Sequence, residues 1–314
     1  MKLLVTGGAG FIGTNFIKYW LSEYKNDKIV SIDSLTYAAN KDEYFKTAKE
    51  NDRFTAFVGD ICSPVIEKFV DECDCIVHMA AHSHVDNSIA DSSPFIQTNI
   101  VGTHNLLEMA RKYNKRFHHI STDEVFGSLE LDEQRSFDEN SKYDPHSPYS
   151  ASKAASDHLV RAYHTTYGLP ITISNCGNNY GPWQHKEKLL PTVILNAHND
   201  KKIPVYGDGK NERSWIFVKD HCIAIDNILK NGKIGETYVV GDDFTLSNLE
   251  IIKIILTLMK KDDSLISFVK DRLGHDRKYA IDAYKLKTEL NWKATYDIEK
   301  GLQETIDWYI KTYE

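Results

Sequence analysis

The chain predicts an α/β fold, a doubly wound parallel sheet with a smaller C-terminal lobe. Three observations predict it. Short apolar runs of strand length alternate with amphipathic stretches of helix length as far as residue 176. Glycines at positions 7, 10 and 13 follow the first run and open the first helix. Acidic or small residues end strand after strand, where sheets of this class gather their ligands: Asp33, Asp60, Ala80-Ala81 and Thr122-Asp123-Glu124.

The elements follow in order. Residues 2–6 read as a short buried strand and 14–24 as a helix. Residues 29–33, 54–58, 75–79, 117–121 and 171–174 read as the next five strands, and 94–113 as a helix. A further helix starts near Pro148, where Ser147 suits the N-cap and proline the first turn, and Gly168 suits its stop. This alternation implies a parallel sheet covered on both faces. Beyond residue 176 the chain is loop-rich at 178–182, 204–209 and 271–275, and strand-like 237–240 is expected to return to the sheet. The expected organisation is a dinucleotide-binding domain over 1–176, with a returning segment near 215–240, and a lobe over most of 177–314 that closes on the sheet. The acidic, polar stretch 128–147 is expected to be a solvated loop at the rim.

Composition narrows the class. At 314 residues with net charge −7, the chain is an ordinary globular protein and not a general nucleic-acid binder. No apolar run reaches membrane-spanning length, and no signal peptide is visible. The five cysteines include Cys73-Asp-Cys75, but no second pair completes a zinc set. A reducing, cytoplasmic setting fits them. His78, His82 and His84 would point different ways from an extended segment and lack supporting carboxylates, so no metal is expected.

The glycines make the turn specific. Glycine there tightens the turn, lets the backbone approach a pyrophosphate, and lets helix and strand pack closely, while the helix N-terminus favours negative charge. Asp33 lies twenty residues past Gly13, at the end of the second strand. A carboxylate there accepts from ribose hydroxyls and repels a 2′-phosphate. The expectation is a Rossmann-type domain binding NAD rather than NADP, with Asp60 near the adenine edge.

Tyr149 and Lys153 are four apart on the helix opened by Pro148, so they share a face. A free tyrosine has a pKa near 10. The lysine ammonium and a cationic nicotinamide would favour its phenolate, a base toward a hydroxyl that loses hydride from the same carbon. Asp123 and Glu124 sit beside this pair, in Ser121-Thr-Asp-Glu-Val-Phe-Gly127. A simple dehydrogenase needs no such carboxylates. Their presence suggests that a proton is also removed and another delivered, as in a sugar dehydration.

At these residues the chain resembles the extended short-chain dehydrogenase/reductase superfamily. Within it, the chain is similar to the nucleoside-diphosphate-glucose 4,6-dehydratases, most closely those acting on the dTDP-sugar. The resemblance spans nearly the whole length. It is carried by Thr6–Gly13, Thr36–Asn40, Ala80–Asp86, Thr98–Thr103, Ser121–Gly127, Tyr149–Lys153, Asn175–Pro182, Glu187–Leu189, Pro204–Gly209, Arg213 and Arg272–Arg277. It implies that Tyr149 takes the 4-hydroxyl proton, that Thr122 bonds the oxygen at C4, and that Glu124 is the base at C5. Asp123 is then the acid for the departing 6-hydroxyl. Phe11, Ile12, Ile61, Ala80, Ala81 and Asn99 join the glycines, Asp33, Asp60, Tyr149 and Lys153 around the cofactor. Ser83, Asn178, Lys188, Leu189, Arg213, Asn248, Arg272 and His275 hold the nucleotide sugar, and Pro204 and Tyr206 flank its base.

Some positions depart from the dTDP pattern. His82 replaces a usual Glu, Asn87 a usual Arg, Ser214 a common Asp and Phe126 a common Tyr. Val85–Ser88 is closer to relatives that use UDP-glucose, so the expected substrate is dTDP-glucose or UDP-glucose. The family implies a homodimer through helices 94–113 and 148–167, with Leu106, Leu107, Met109, Leu159 and Val160 as candidates for its face. The rival readings are a nucleoside-diphosphate-hexose 4-epimerase, which needs Tyr149 and Lys153 but not the carboxylates, and a non-catalytic NAD-binding regulatory protein.

Overall fold

In the computed structural model, every residue except Asp243 and Glu314 is described. Strands β1 (Lys2–Thr6), β2 (Lys28–Asp33), β3 (Phe54–Val58), β4 (Cys75–His78), β5 (Arg116–Thr122) and β6 (Ile171–Cys176) pair in parallel. Their burial is near-continuous at the centre, with every residue of β4 and β6 buried, as a sheet covered on both faces requires. Strands β7 (Asn178–Tyr180), β8 (Ile203–Tyr206) and β9 (Glu212–Phe217) lie outside this sheet. β10 (Thr237–Val240) returns to it beside β6, giving the order β10-β6-β5-β4-β1-β2-β3. The order reverses between β1 and β4, which opens a crevice at their carboxyl ends.

Helices α1 (Phe11–Glu23), α2 (Lys41–Glu50) and α3 (Glu67–Glu72) link the first four strands. Helix α4 (Val85–Ala90), α5 (Ser93–Phe95), a π-helical stretch over Ile96–Gly102 and α6 (Thr103–Lys112) lead to β5. Helix α7 (Pro148–Tyr167) leads to β6, and α8 (Leu189–His198), α9 (Val218–Asn231) and α10 (Asn248–Leu258) follow. One face of the sheet packs on α1 and α9 through Phe16, Trp20, Cys222 and Ile225. The other packs on α3, α6 and α7 through Val70, Leu106, Leu107 and Val160. The lobe has its own core, including Trp215, Ile251 and Ile255.

Helix α7 starts as its sequence requires. Ser147 accepts from the Ser150 amide in a reciprocal capping box, and Gly168 closes the helix at φ 69°. Two expectations need correction. The single helix over 94–113 is interrupted by the π-helical turn, which carries Asn99 inward. The stretch 128–147 is only partly solvated. Leu129 and Phe137 are buried and bridge to Lys278 and Ile281, and Phe126 stacks on Phe137 at 5.3 Å. These apolar residues find their partners far along the chain, so local polarity misjudged the segment. Leu106, Leu107, Met109 and Val160 are core residues of this chain, and the exposed apolar side chains of these helices are Ile96, Val101 and Tyr167. No helix among the described residues is long and apolar enough to cross a membrane.

Candidate active site

The crevice at the strand ends holds a cavity of about 520 Å³. Its first wall is the glycine turn. Gly7 takes φ 75°, and a Cβ on it would meet the Ala80 backbone at 2.7 Å. A Cβ on Gly13 would meet Gly7 O at 2.2 Å. Side chains at either position would therefore force β1, β4 and α1 apart. Helix α1 begins after Gly10 with no side chain capping its first amides and no acidic residue in its first turn. Those amides are free to face an anion.

Gly7, Gly10, Phe11, Ile12, Gly13, Asp33, Asp60, Ile61, Ala80 and Ala81 all line the cavity. Asp33 does more than face it. Its two oxygens accept from Ala9 N at 3.0 Å and Leu35 N at 2.7 Å, which braces the glycine turn. A carboxylate offers about four acceptor sites, so capacity for a ribose hydroxyl remains beside the backbone donors. Burial raises the Asp33 pKa and the backbone bonds oppose that rise. The chain thus fits a dinucleotide: a glycine turn without room for side chains, an uncapped helix start and an acceptor at the second strand end.

Asn99 is placed otherwise than expected. It is buried and outside the lining. Its amide accepts from His82 N at 2.9 Å and donates to His82 O and Ser152 Oγ at 3.0 and 2.8 Å. It braces the loop after β4 against α7. His78 is held between Thr6 and Thr103, and His84 caps α4, so the histidines do not converge.

The second wall carries the acid–base groups. β5 ends at Thr122, whose hydroxyl accepts from Glu124 N at 3.3 Å and starts the tight turn Asp123–Phe126. That turn aims two consecutive carboxylates at one cavity, with Tyr149 and Lys153 opposite on α7. Burial, then repulsion from Glu124, pushes the Asp123 carboxyl up to about 8, so it is protonated at neutral pH. Its Oδ2 is buried without a partner, and Thr122 Oγ1 lies 3.2 Å from its Oδ1. Burial also raises Glu124, but the cations of Arg272, Lys188 and Arg213 oppose it. The two adjacent carboxyls thus have different surroundings, Asp123 with an unpartnered buried oxygen and Glu124 beside three cations, and that asymmetry suits one to act as acid and the other as base.

Burial and then the Glu124 charge hold the Tyr149 phenol well above its ordinary value, against a hydrogen bond with Thr122. Lys153 by itself does not draw the phenol down as expected. Its ammonium donates to Ile120 O at 2.8 Å, and burial lowers it to about 8.

The substrate positions divide. Ser83, Asn178 and Lys188 line the cavity, and Asn178 Oδ1 is a buried acceptor without a partner. Arg272 lies beyond the lining, near Glu124, with a buried, unpartnered Nε. Arg213 is committed elsewhere. It stacks on Tyr279 at 4.3 Å and donates to Glu212 O and Asp276 O at 2.7 and 2.9 Å, so only its charge reaches the carboxylates. Pro204 and Tyr206 point outward on β8, and Tyr206 meets the His275 ring at 6.4 Å. Leu189 and Asn248 start α8 and α10 outside the lining. Sequence reasoning gave no site role to Gln184, His185 or Glu187, which line the cavity from the lobe, although Glu187 stands in a stretch that carries the resemblance. Glu187 accepts from Tyr37 OH at 2.8 Å across the cleft, and Asn87 donates to the same hydroxyl at 3.0 Å. That pairing joins residues 150 apart and left no local signal.

Comparison with known proteins agrees with this geometry. A profile of the family described as GDP-mannose 4,6 dehydratase matches residues 4–305. A dTDP-glucose 4,6-dehydratase of Mycolicibacterium smegmatis is 48% identical over 311 residues, covering 98% of this chain and 93% of that protein. The crystal structure of a Bacillus anthracis dTDP-glucose 4,6-dehydratase in complex with NAD superposes with a TM-score of 0.93 at 42% identity, covering 100% of this chain and 97% of that one. A Bacillus cereus UDP-glucuronic acid 4-epimerase, in complex with UDP-glucuronic acid and NAD, also reaches 0.93, at 28% identity and full coverage of both chains. The fold is therefore common to dehydratases and epimerases, and the higher identity lies with the dehydratases. With nearly its whole length matched, the chain belongs to the GDP-mannose 4,6 dehydratase family.

Proposed function

We propose that the protein dehydrates a nucleoside-diphosphate glucose, dTDP-glucose in the first instance, to the 4-keto-6-deoxy sugar. The observation that carries this is the Asp123-Glu124 turn, which brings a protonated and an ionisable carboxyl into one cavity with Tyr149. The glycine turn, the α1 N-terminus and Asp33 hold the cofactor. Bound there, NAD would supply a hydride acceptor for C4, a hydride donor for C6, and a cationic ring that would favour the Tyr149 phenolate.

The chain's own groups then handle protons. Tyr149 takes the proton of the 4-hydroxyl, with Thr122 and the Lys153 charge supporting its anion. The 4-ketone acidifies the neighbouring C5 proton, which Glu124 removes. Asp123 protonates the 6-hydroxyl as it leaves, so that water departs. Glu124 returns its proton to C5 as C6 receives hydride. Over one cycle Tyr149 gains a proton and Asp123 loses one. Thr122, bonded to both, is the bridge for the transfer that resets them.

The identity of the dTDP relatives supports a dTDP-sugar, while Asn87 and the Val85–Ser88 stretch keep UDP-glucose as the competitor in the test. Steady-state comparison of dTDP-glucose with UDP-glucose, with products weighed, tests both. Preference for the UDP-sugar would overturn the nucleotide assignment and leave the chemistry standing.

Arg272, with its unpartnered buried Nε, is proposed to hold the pyrophosphate. Arg272→Ala should weaken both nucleotide sugars alike, by about 1.5–3 kcal/mol for a lost charged hydrogen bond. A loss confined to one nucleotide, read by calorimetry, would mean that it reads the base. Asp33 should enforce NAD over NADP. Denaturing the purified protein should release NAD if the cofactor is recycled in place, and NADP in that extract would overturn the role of Asp33. A homodimer would use the α5–α6 and α7 surfaces, where Ile96 and Val101 are exposed; sedimentation equilibrium giving a monomer would remove it. Its five unpaired cysteines support a reducing, cytoplasmic setting, and loss of the protein from a cytosolic cell fraction would contradict it.

A further inference from the structure

Tyr149, Lys153 and Asp157 recur every fourth residue on α7, so they form one stripe running inward from the cavity. The first two face the cavity. Asp157 is fully buried and takes no direct part in it. Its Oδ2 accepts from Ser121 Oγ at 2.9 Å, Tyr143 OH at 2.8 Å and Asn175 Nδ2 at 3.1 Å. His119, also fully buried, sits between it and the lysine. The His119 Nε2 lies 3.2 Å from Asp157 Oδ1 and 3.4 Å from Lys153 Nζ.

One ring nitrogen thus faces an ammonium and a carboxylate at once. It can accept from the first or donate to the second, not both. A buried ammonium is costly without a counter-charge. The titratable groups packed around Lys153 are His119 on β5, His78 on β4, Cys176 on β6, and Tyr149 and Asp157 on its own helix. Burial and then Lys153 lower His119 to about 4, and burial and then His119 lower His78, so both rings are neutral. Burial pushes the Cys176 thiol up to about 12. Asp157 is different. Burial opposes its charge, but the contacts with His119 and Lys153 and the Ser121 bond hold it down to about 2. Arg161 meets it only through the Tyr143 hydroxyl, to which it donates at 2.7 Å. Asp157 is therefore the negative charge of this cluster.

We propose that the Asp157 charge, together with the His119 nitrogen that accepts from the ammonium, keeps Lys153 charged and in place one turn from Tyr149, making Asp157 and His119 positioning residues for the oxidation at C4. This rests on the reading of Tyr149 and Lys153 given above. Without its counter-charge, the buried lysine loses its proton at a lower pH. The alkaline limb of the rate profile should then move to lower pH.

The test uses the NAD-loaded enzyme. In the parent, kcat should fall as pH rises through about 8, where Lys153 loses its charge. In Asp157→Asn the limb should move down by roughly one to two pH units, the usual effect of one nearby opposite charge. Activity at the acid end should be retained, and Asp157→Glu should restore most of the limb. Titration of isotope-labelled lysine ε-carbons by NMR, assigned with Lys153→Met, reads the same shift without substrate. If Asp157→Asn does not fold, His119→Phe, which removes the nitrogen facing Lys153, should move the limb the same way. A uniform loss of rate with the limb unmoved would mean that Asp157 only stabilises the fold. A parent Lys153 titrating like an exposed lysine would also overturn the proposal, whichever variants fold. Because the NMR signal needs no turnover, its failure is distinguishable from failure of the dehydratase reading.

Discussion

Asp123→Asn/Glu124→Gln should stop the reaction after oxidation at C4. Tyr149, Lys153 and the glycine turn are untouched, so the first half of the chemistry remains possible. The two amides keep the shape of the turn. Asp123 is already uncharged at neutral pH, so its replacement removes a transferable proton and little charge. Neither amide can accept the C5 proton or donate to the 6-hydroxyl. Each such role contributes about 10²–10⁴ in rate, so water loss should fall by several orders of magnitude. Reduced cofactor should accumulate in a single turnover, visible by its absorbance, and solvent deuterium should no longer enter C5. Near-parental formation of the 4-keto-6-deoxy product would remove both carboxylates from the mechanism.

Tyr149→Phe should fail earlier. The ring remains, so packing against Phe95 at 6.3 Å is kept, and the loss is the hydroxyl and its bond to Thr122. One such bond contributes about 0.5–1.5 kcal/mol, so folding and NAD binding should stay close to normal. The base for the 4-hydroxyl is gone, and turnover should nearly vanish, by about 10²–10⁴ for one acid–base role. In contrast to the carboxylate variant, no reduced cofactor should appear in a single turnover. Activity within a few-fold of the parent would exclude Tyr149 as the base. The pair of variants therefore splits the reaction at C4.

Much of this was legible in the sequence because its signals are local. Gly7, Gly10 and Gly13 report a backbone turn within one strand–helix unit, and Ser147, Pro148 and Gly168 bound α7 by capping chemistry that acts over a few residues. Asp33, Asp60 and Thr122–Glu124 stand at strand ends, and parallel pairing brings all strand ends to one crevice. What was illegible depends on partners far away. Arg213 was expected on phosphate, yet the ring of Tyr279 and the Asp276 carbonyl occupy it. Asn99 was expected at the cofactor, yet a π-helical turn redirects it to His82 and Ser152. The 128–147 stretch looked solvated because its buried residues are few and widely spaced, and their partners are at 278 and 281. Asp157 carried a faint signal, the four-residue spacing from Lys153, but nothing in the sequence placed His119 between them.

The central claim is that the Asp123-Glu124 turn makes this fold a dehydratase where similar folds perform epimerisation. The most direct measurement is the mass of the product formed from dTDP-glucose by the NAD-loaded protein. Loss of one water, with the cofactor oxidised again at the end, is the predicted result. A product of unchanged mass with the 4-hydroxyl inverted would contradict it.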